Sequence, residues 1–104
     1  MPIQHTVVFR LIHASGSSEE AEFLESAARD LAQIPGVNGF TVQRQISPKS
    51  GLEWQFSMVF LDESAFRAYN DHPAHVEFVR ARWAVEVAEF QEYDFVVHVS
   101  SDER

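Results

Sequence analysis

The chain has 104 residues, 45% of them apolar and 23% charged, which suffices for one domain around one modest core. Its formal net charge of −8, with Lys49 as the single lysine, argues against nucleic acid or an anionic membrane surface as partner, since both select clustered Lys and Arg. Cysteine is absent, which removes disulfides, thiol nucleophiles and thiolate metal sites, and no apolar run approaches the ~20 residues of a membrane span.

The opening residues, Met1-Pro2-Ile3-Gln4-His5, carry neither a basic region nor a long apolar run, so a cytoplasmic location is expected. From Ile3 to Leu11 the odd positions, Ile3, His5, Val7, Phe9 and Leu11, give one strongly apolar strand face. Ser17 followed by Glu20 reads as a capping box. Phe23, Leu24, Ala27, Leu31 and Ile34 then recur at helical spacing until Pro35-Gly36 ends the helix. This helix is expected to serve folding more than chemistry.

A second strand is predicted from Val37 to Ile46, then a turn at Ser47-Pro48-Lys49-Ser50-Gly51. A third strand sets Trp54, Phe56, Met58 and Phe60 against Gln55, Ser57, Val59 and Leu61. Asp62 or Ser64 caps a short helix carrying Phe66 and Tyr69, and Pro73 opens the next helix, which holds Val76, Val79, Trp83 and Val87. The last strand spans about Glu92 to Val99, with Phe95, Val97 and Val99 alternating against Asp94, Val96 and His98.

The order β-α-β-β-α-α-β predicts an α+β fold, a ferredoxin-like sandwich with a four-stranded antiparallel sheet backed by helices on one face. One domain over residues 1–99 and a frayed tail over 100–104 are expected. Val8, Ile12, Val59, Leu61 and Val96 then fall on the uncovered face. Leaving them wet forfeits a few kcal/mol at ~25 cal/mol per Å2. A second copy packed sheet to sheet, a homodimer, is the simplest remedy.

The chemistry-bearing segment is Tyr69-Asn70-Asp71-His72-Pro73-Ala74-His75-Val76. Phenol and imidazole move protons near neutral pH without a metal or cofactor. His75 as base beside a carbonyl, with Tyr69 polarising the oxygen, is one reading; a core-capping ring and a backbone-bonded imidazole are the other. His72 and His75 have a ligand-like spacing, but a metal needs further ligands, and none is expected. His5 is read as lining a mostly apolar pocket, with Phe23 and Trp54 as expected contacts of a flat or apolar ligand.

These residues carry a resemblance. His5-Thr6-Val7-Val8-Phe9, Ile34-Pro35-Gly36-Val37, Phe60-x-x-Glu63-Ser64, Tyr69-x-x-His72-Pro73-x-His75-x-x-Phe78 and Tyr93-Asp94-Phe95 stand in the order and spacing of the stress-responsive dimeric α+β barrel (Dabb) family, which the chain resembles over nearly its whole length. The resemblance implies a dimeric α+β barrel with a cavity between helices and sheet in each subunit. A plant member is a cofactor-free aldol cyclase, whose catalytic Tyr and His align with Tyr69 and His75 and whose first-strand histidine aligns with His5. That member has a histidine where this chain has Trp54. The resemblance thus implies Tyr69 and His75 as catalytic and His5, Phe23, Trp54 and Phe78 as substrate-binding. The expected function is a cofactor-independent lyase, cyclase or isomerase on a small apolar or carbonyl-containing ligand. The alternatives are a noncatalytic ligand-binding or stress-related structural dimer and, by fold analogy, an antibiotic-biosynthesis-type monooxygenase.

Overall fold

The computed structural model describes residues 1–101, so part of the expected tail, residues 102–104, lies outside the described residues. Strand β1 (Ile3–Leu11) leads into helix α1 (Ser18–Leu31), then β2 (Asn38–Arg44) and β3 (Trp54–Phe60). Helix α2 (Glu63–Asp71) follows. A continuous helical rod then runs through α3 (Pro73–Phe78), a π-helical turn (Val79–Trp83) and α4 (Ala84–Glu86) into β4 (Val87–Phe95). The sheet order is β2-β3-β1-β4, with every neighbouring pair antiparallel, which is the ferredoxin-like α+β arrangement.

The caps follow the sequence signals. The Ser17 side chain accepts from the Glu20 N–H at 3.2 Å, and Glu20 reaches back to the Gly16 N–H at 2.9 Å. Asp62 accepts from the Ala65 N–H and starts α2. Gly36 turns the chain toward β2 at φ +91°, a conformation that costs other residues strain.

The core lies between one sheet face and the helices. Val7, Phe9 and Leu11 of β1 and Phe56, Met58 and Phe60 of β3 meet Phe23, Ala27, Leu31, Tyr69 and Phe78 from the helices. Phe9 sits 4.6 Å from the ring of Phe56 and 5.0 Å from that of Trp83. Each such aromatic side chain contributes roughly 1.5–3 kcal/mol by leaving water, so this face is where the chain closes.

Three boundaries differ from the sequence expectation. α1 ends at Leu31, although Ile34 remains buried through a following turn. β2 stops at Arg44, and Ile46 lies on the surface in the β2–β3 connection. Val87 begins β4 instead of ending a helix, because β1 demands a partner along its whole length and draws residues 87–95 into the ladder. Val96 to Val99 therefore fall beyond the strand.

The facing of β4 is also reversed. Gln4 pairs with Phe95 and His5 with Asp94, and directly opposed residues share a face. Phe95 and Tyr93 thus occupy the outer face, while Phe90, Glu92 and Asp94 turn toward the helices. On the outer face Thr6 is buried by its bonds to Gln55 and the Phe56 carbonyl, while Val59, Tyr93 and Phe95 remain exposed.

Candidate functional site

The site begins at the break between α2 and α3. A helix continuing past Asp71 would pair the Asn70 carbonyl with the N–H of Ala74. Pro73 lacks an N–H and its ring collides with the preceding turn, so the chain leaves the helix at His72, with ψ 135°. The Ala74 N–H turns instead to Nδ1 of His72, 3.1 Å away, which caps α3. His72 is thereby a helix-entry residue. The Asn70 carbonyl becomes available to His75, whose Nδ1–H donates to it at 3.1 Å.

That bond selects a tautomer. A carbonyl only accepts, so Nδ1 carries the proton and Nε2 of the neutral ring holds the lone pair. Burial pushes the His75 pKa below its ordinary value. The Asn70 bond opposes this, His5 adds to the lowering, and Glu92 opposes it. His75 is therefore a half-buried neutral imidazole with Nε2 as its basic atom.

Tyr69 stacks its ring 4.5 Å from that of His75 and 5.0 Å from that of Phe60. The residue is only 2% exposed. No described residue bonds its hydroxyl, yet none of the buried polar atoms among the described residues is sealed without a partner. The hydroxyl therefore opens into the adjoining cavity. Burial, and then the charge of Glu92, hold the phenol pKa well above its usual range, so it stays a hydrogen-bond donor at neutral pH.

The cavity, of about 240 Å3, lies between the sheet and the helices. His5, Tyr69, His75 and Phe78 all line it, together with Val7, Leu31, Phe56, Met58, Val79, Trp83, Phe90 and Glu92. His5 is held by Asp94, which accepts from Nδ1–H at 2.6 Å, and its Nε2 stands 3.7 Å from Glu92 Oε2.

Two expected contacts stand elsewhere. Phe23 is fully buried behind the wall, packed on Phe9, Phe78 and Trp83. Trp54 lies at the far end of β3, its indole N–H donating to Glu20 at 3.1 Å beneath the guanidinium of Arg44. Neither lines the cavity, because α1 places Phe23 toward the core centre and Trp54 pairs with Phe9 rather than with His5. Leu31 of α1, read only as a folding residue, does line it.

Sequence reasoning missed Asn70 and Glu92. A backbone carbonyl leaves no mark in the sequence. Glu92 was legible only through the pairing of β4 with β1, where it opposes Val7 on the inner face. A polar cluster stands apart from the cavity lining: Arg82 binds Glu86 at 2.5 Å and Glu22 at 2.6 Å, and His13 meets Glu86 at 2.7 Å.

The arrangement defines a small ferredoxin-like protein with a pocket between helices and sheet carrying two imidazoles and one phenolic donor. The profile of the Dabb family, the stress responsive A/B barrel domain, matches residues 3–97, and the chain belongs to that family. No curated protein matches it. A Dabb family protein with a ferredoxin-like fold from Mesorhizobium loti is 53% identical, with a TM-score of 0.91 over 92% of this chain and 96% of that one. A dimeric ferredoxin-like protein of unknown function from Thermobifida fusca, 23% identical, has a TM-score of 0.72 over 93% of this chain and 92% of that one. A hydroxynitrile lyase from Passiflora edulis, 13% identical, superimposes with a TM-score of 0.77 over 95% of each chain. The last two likenesses are of fold alone.

Proposed function

We propose that the protein is a cofactor-independent lyase, cyclase or isomerase acting on a small carbonyl compound, with His75 and Tyr69 as its catalytic residues. The observation that carries this reading is the pairing of a neutral imidazole, its tautomer set by the Asn70 carbonyl, with an unpartnered phenol on one apolar cavity. Nε2 of His75 removes a proton from the carbon beside the carbonyl. The electron pair moves onto the carbonyl oxygen, which accepts a hydrogen bond from the Tyr69 hydroxyl. The enolate then attacks an electrophilic carbonyl carbon, forming a carbon–carbon bond whose alkoxide takes the proton back from His75. In a conjugated substrate it takes that proton at the γ-carbon instead. In the lyase direction Nε2 removes the proton of a β-hydroxyl, and the carbon–carbon bond breaks to leave the enolate, which takes that proton. A fold shared with a hydroxynitrile lyase gives the enzymatic reading a precedent.

We propose further that the protein works as a homodimer joined through the outer sheet face, where Val59, Tyr93 and Phe95 are exposed. The dimeric relative of the same fold supports this.

Deuterium exchange tests the chemistry without knowledge of the substrate. The protein should accelerate exchange of the protons beside the carbonyl of phenylacetone in heavy water, followed by NMR. His75→Ala should lose about 10²–10⁴-fold of that acceleration with the fold retained, and Tyr69→Phe should lose less. Wild-type exchange at the buffer rate across a panel of small apolar ketones would overturn the proposal and leave a noncatalytic ligand-binding dimer.

A further inference from the structure

His5 stands between two carboxylates. Asp94 takes the proton on Nδ1 at 2.6 Å, and Glu92 Oε2 lies 3.7 Å from Nε2. Two carboxylates thus face one imidazole, so Asp94, His5 and Glu92 together keep a net negative charge at the cavity wall whichever charge the ring carries. The remaining lining is mostly apolar, and among the described residues it includes neither Lys nor Arg. The charge of Glu92 is felt at Tyr69 and at His75. The hydroxyl of the buried Tyr69, with no bond to a described residue, opens into the same space, so the cavity already points to a ligand.

Charge then divides the ligands that fit. A carboxylate would enter a mostly apolar space beside Glu92, where the one imidazole at that wall is already shared between two carboxylates. An ammonium would find the opposite charge of Glu92 on that wall. At about 240 Å3 the cavity falls under the roughly 300–1,000 Å3 of drug-sized sites, so a ligand this small cannot hold its charged group far from the wall.

We propose that Glu92 determines specificity in this cavity, selecting a small apolar carbonyl compound that carries an amine over its carboxylate counterpart. The inference rests on the proposed use of this cavity as a ligand site and adds the charge of the ligand.

Three probes of similar size test it: phenethylamine, neutral phenylacetone and phenylacetate. Each is titrated into the full chain near neutral pH, with binding followed by the NMR resonances of His5, Tyr69 and His75. Phenethylamine should bind about tenfold or more tightly than phenylacetate, a modest factor because Glu92 is half exposed to screening water. Glu92→Gln should bring the two within about threefold of each other. Glu92→Thr, a residue suited to a strand, should do the same and serves if the first variant fails to fold. Glu25→Gln removes an equal charge from the exposed surface of α1 and should leave the ratio unchanged.

An unchanged ratio in both Glu92 variants overturns the proposal. So does an equal change in the Glu25 variant, which would assign the preference to net charge. Binding of phenylacetone without charge discrimination overturns it while the ligand site stands. If none of the three probes perturbs these resonances, the ligand site falls with it.

Discussion

Burial of the His75 imidazole makes protonation of Nε2 costly, and the bond from Nδ1–H to the Asn70 carbonyl only partly opposes that cost. The folded pKa of His75 lies below its ordinary value of 6.5, while the unfolded ring titrates near 6.5. Between those points the unfolded chain binds more protons than the folded one. Stability contributed by the neutral ring is thus fully present above about pH 6.5 and declines as pH falls through the window below it. An NMR titration should place the His75 midpoint below 6.5, and His75→Gln should flatten part of the acid loss of stability. A midpoint at or above 6.5 would remove the argument for a neutral base. At this scale the sequence was informative for side chains that advertise their chemistry, since His5, Tyr69, His75 and Phe78 stand around one cavity. It was silent on the Asn70 carbonyl, which acquires its role only because Pro73 breaks the helix beside it. Trp54 stands away from that cavity because its position along β3, and not its facing, sets it on Glu20.

Among the elements, α1 joins the folding core to the cavity. Leu31 is buried and also lines the pocket. Leu31→Ala should cost about 2–5 kcal/mol in urea unfolding and enlarge the cavity, with the lower end of that range expected because part of the void already exists. A cost within a few tenths of a kcal/mol would show that the helix does not press on the sheet there. Helix starts were readable because a cap is a local bond, as Ser17 and Asp62 demonstrate. The far end of β2 and both ends of β4 were not, although β1 was read as Ile3 to Leu11. The span of β4 is fixed by a partner some eighty residues earlier in the chain, and its pairing with β1 shifts between Arg10 and Leu11. A period-two reading of Phe95, Val97 and Val99 could not see that the inward positions belong to Phe90, Glu92 and Asp94.

For the whole molecule, the order of elements carried the α+β architecture, since few topologies connect these strands without crossings. Alternation in β1 and β3 also indicated which face the helices cover. The outer face remains unbalanced: Tyr93 and Phe95 stack on each other at 6.0 Å and stay about half exposed. Analytical ultracentrifugation at micromolar concentration should find a species of twice 11.9 kDa. Phe95→Glu should drive it toward monomer by placing a charge in the sheet-to-sheet contact. A wild-type monomer, or a dimer indifferent to Phe95→Glu, would refute assembly through this face.

The π-helical turn at Val79–Trp83 has a consequence for how such a pocket can change over generations. Its wider turn closes on the Ala84 N–H reaching back to the Val79 carbonyl, so it holds about one residue more than an ordinary helical turn. Val79 and Trp83 both reach the cavity from it, and His75 lies one turn earlier on the same rod. Loss of a single residue there would return the rod to ordinary winding and rotate one end against the other by about 100°. His75 and Trp83 would no longer share a direction, although neither had been substituted. Length at this turn is therefore a heritable setting of the pocket, separate from the side chains that line it, and relatives differing by one residue at this turn would inherit differently shaped interiors from nearly identical sequences.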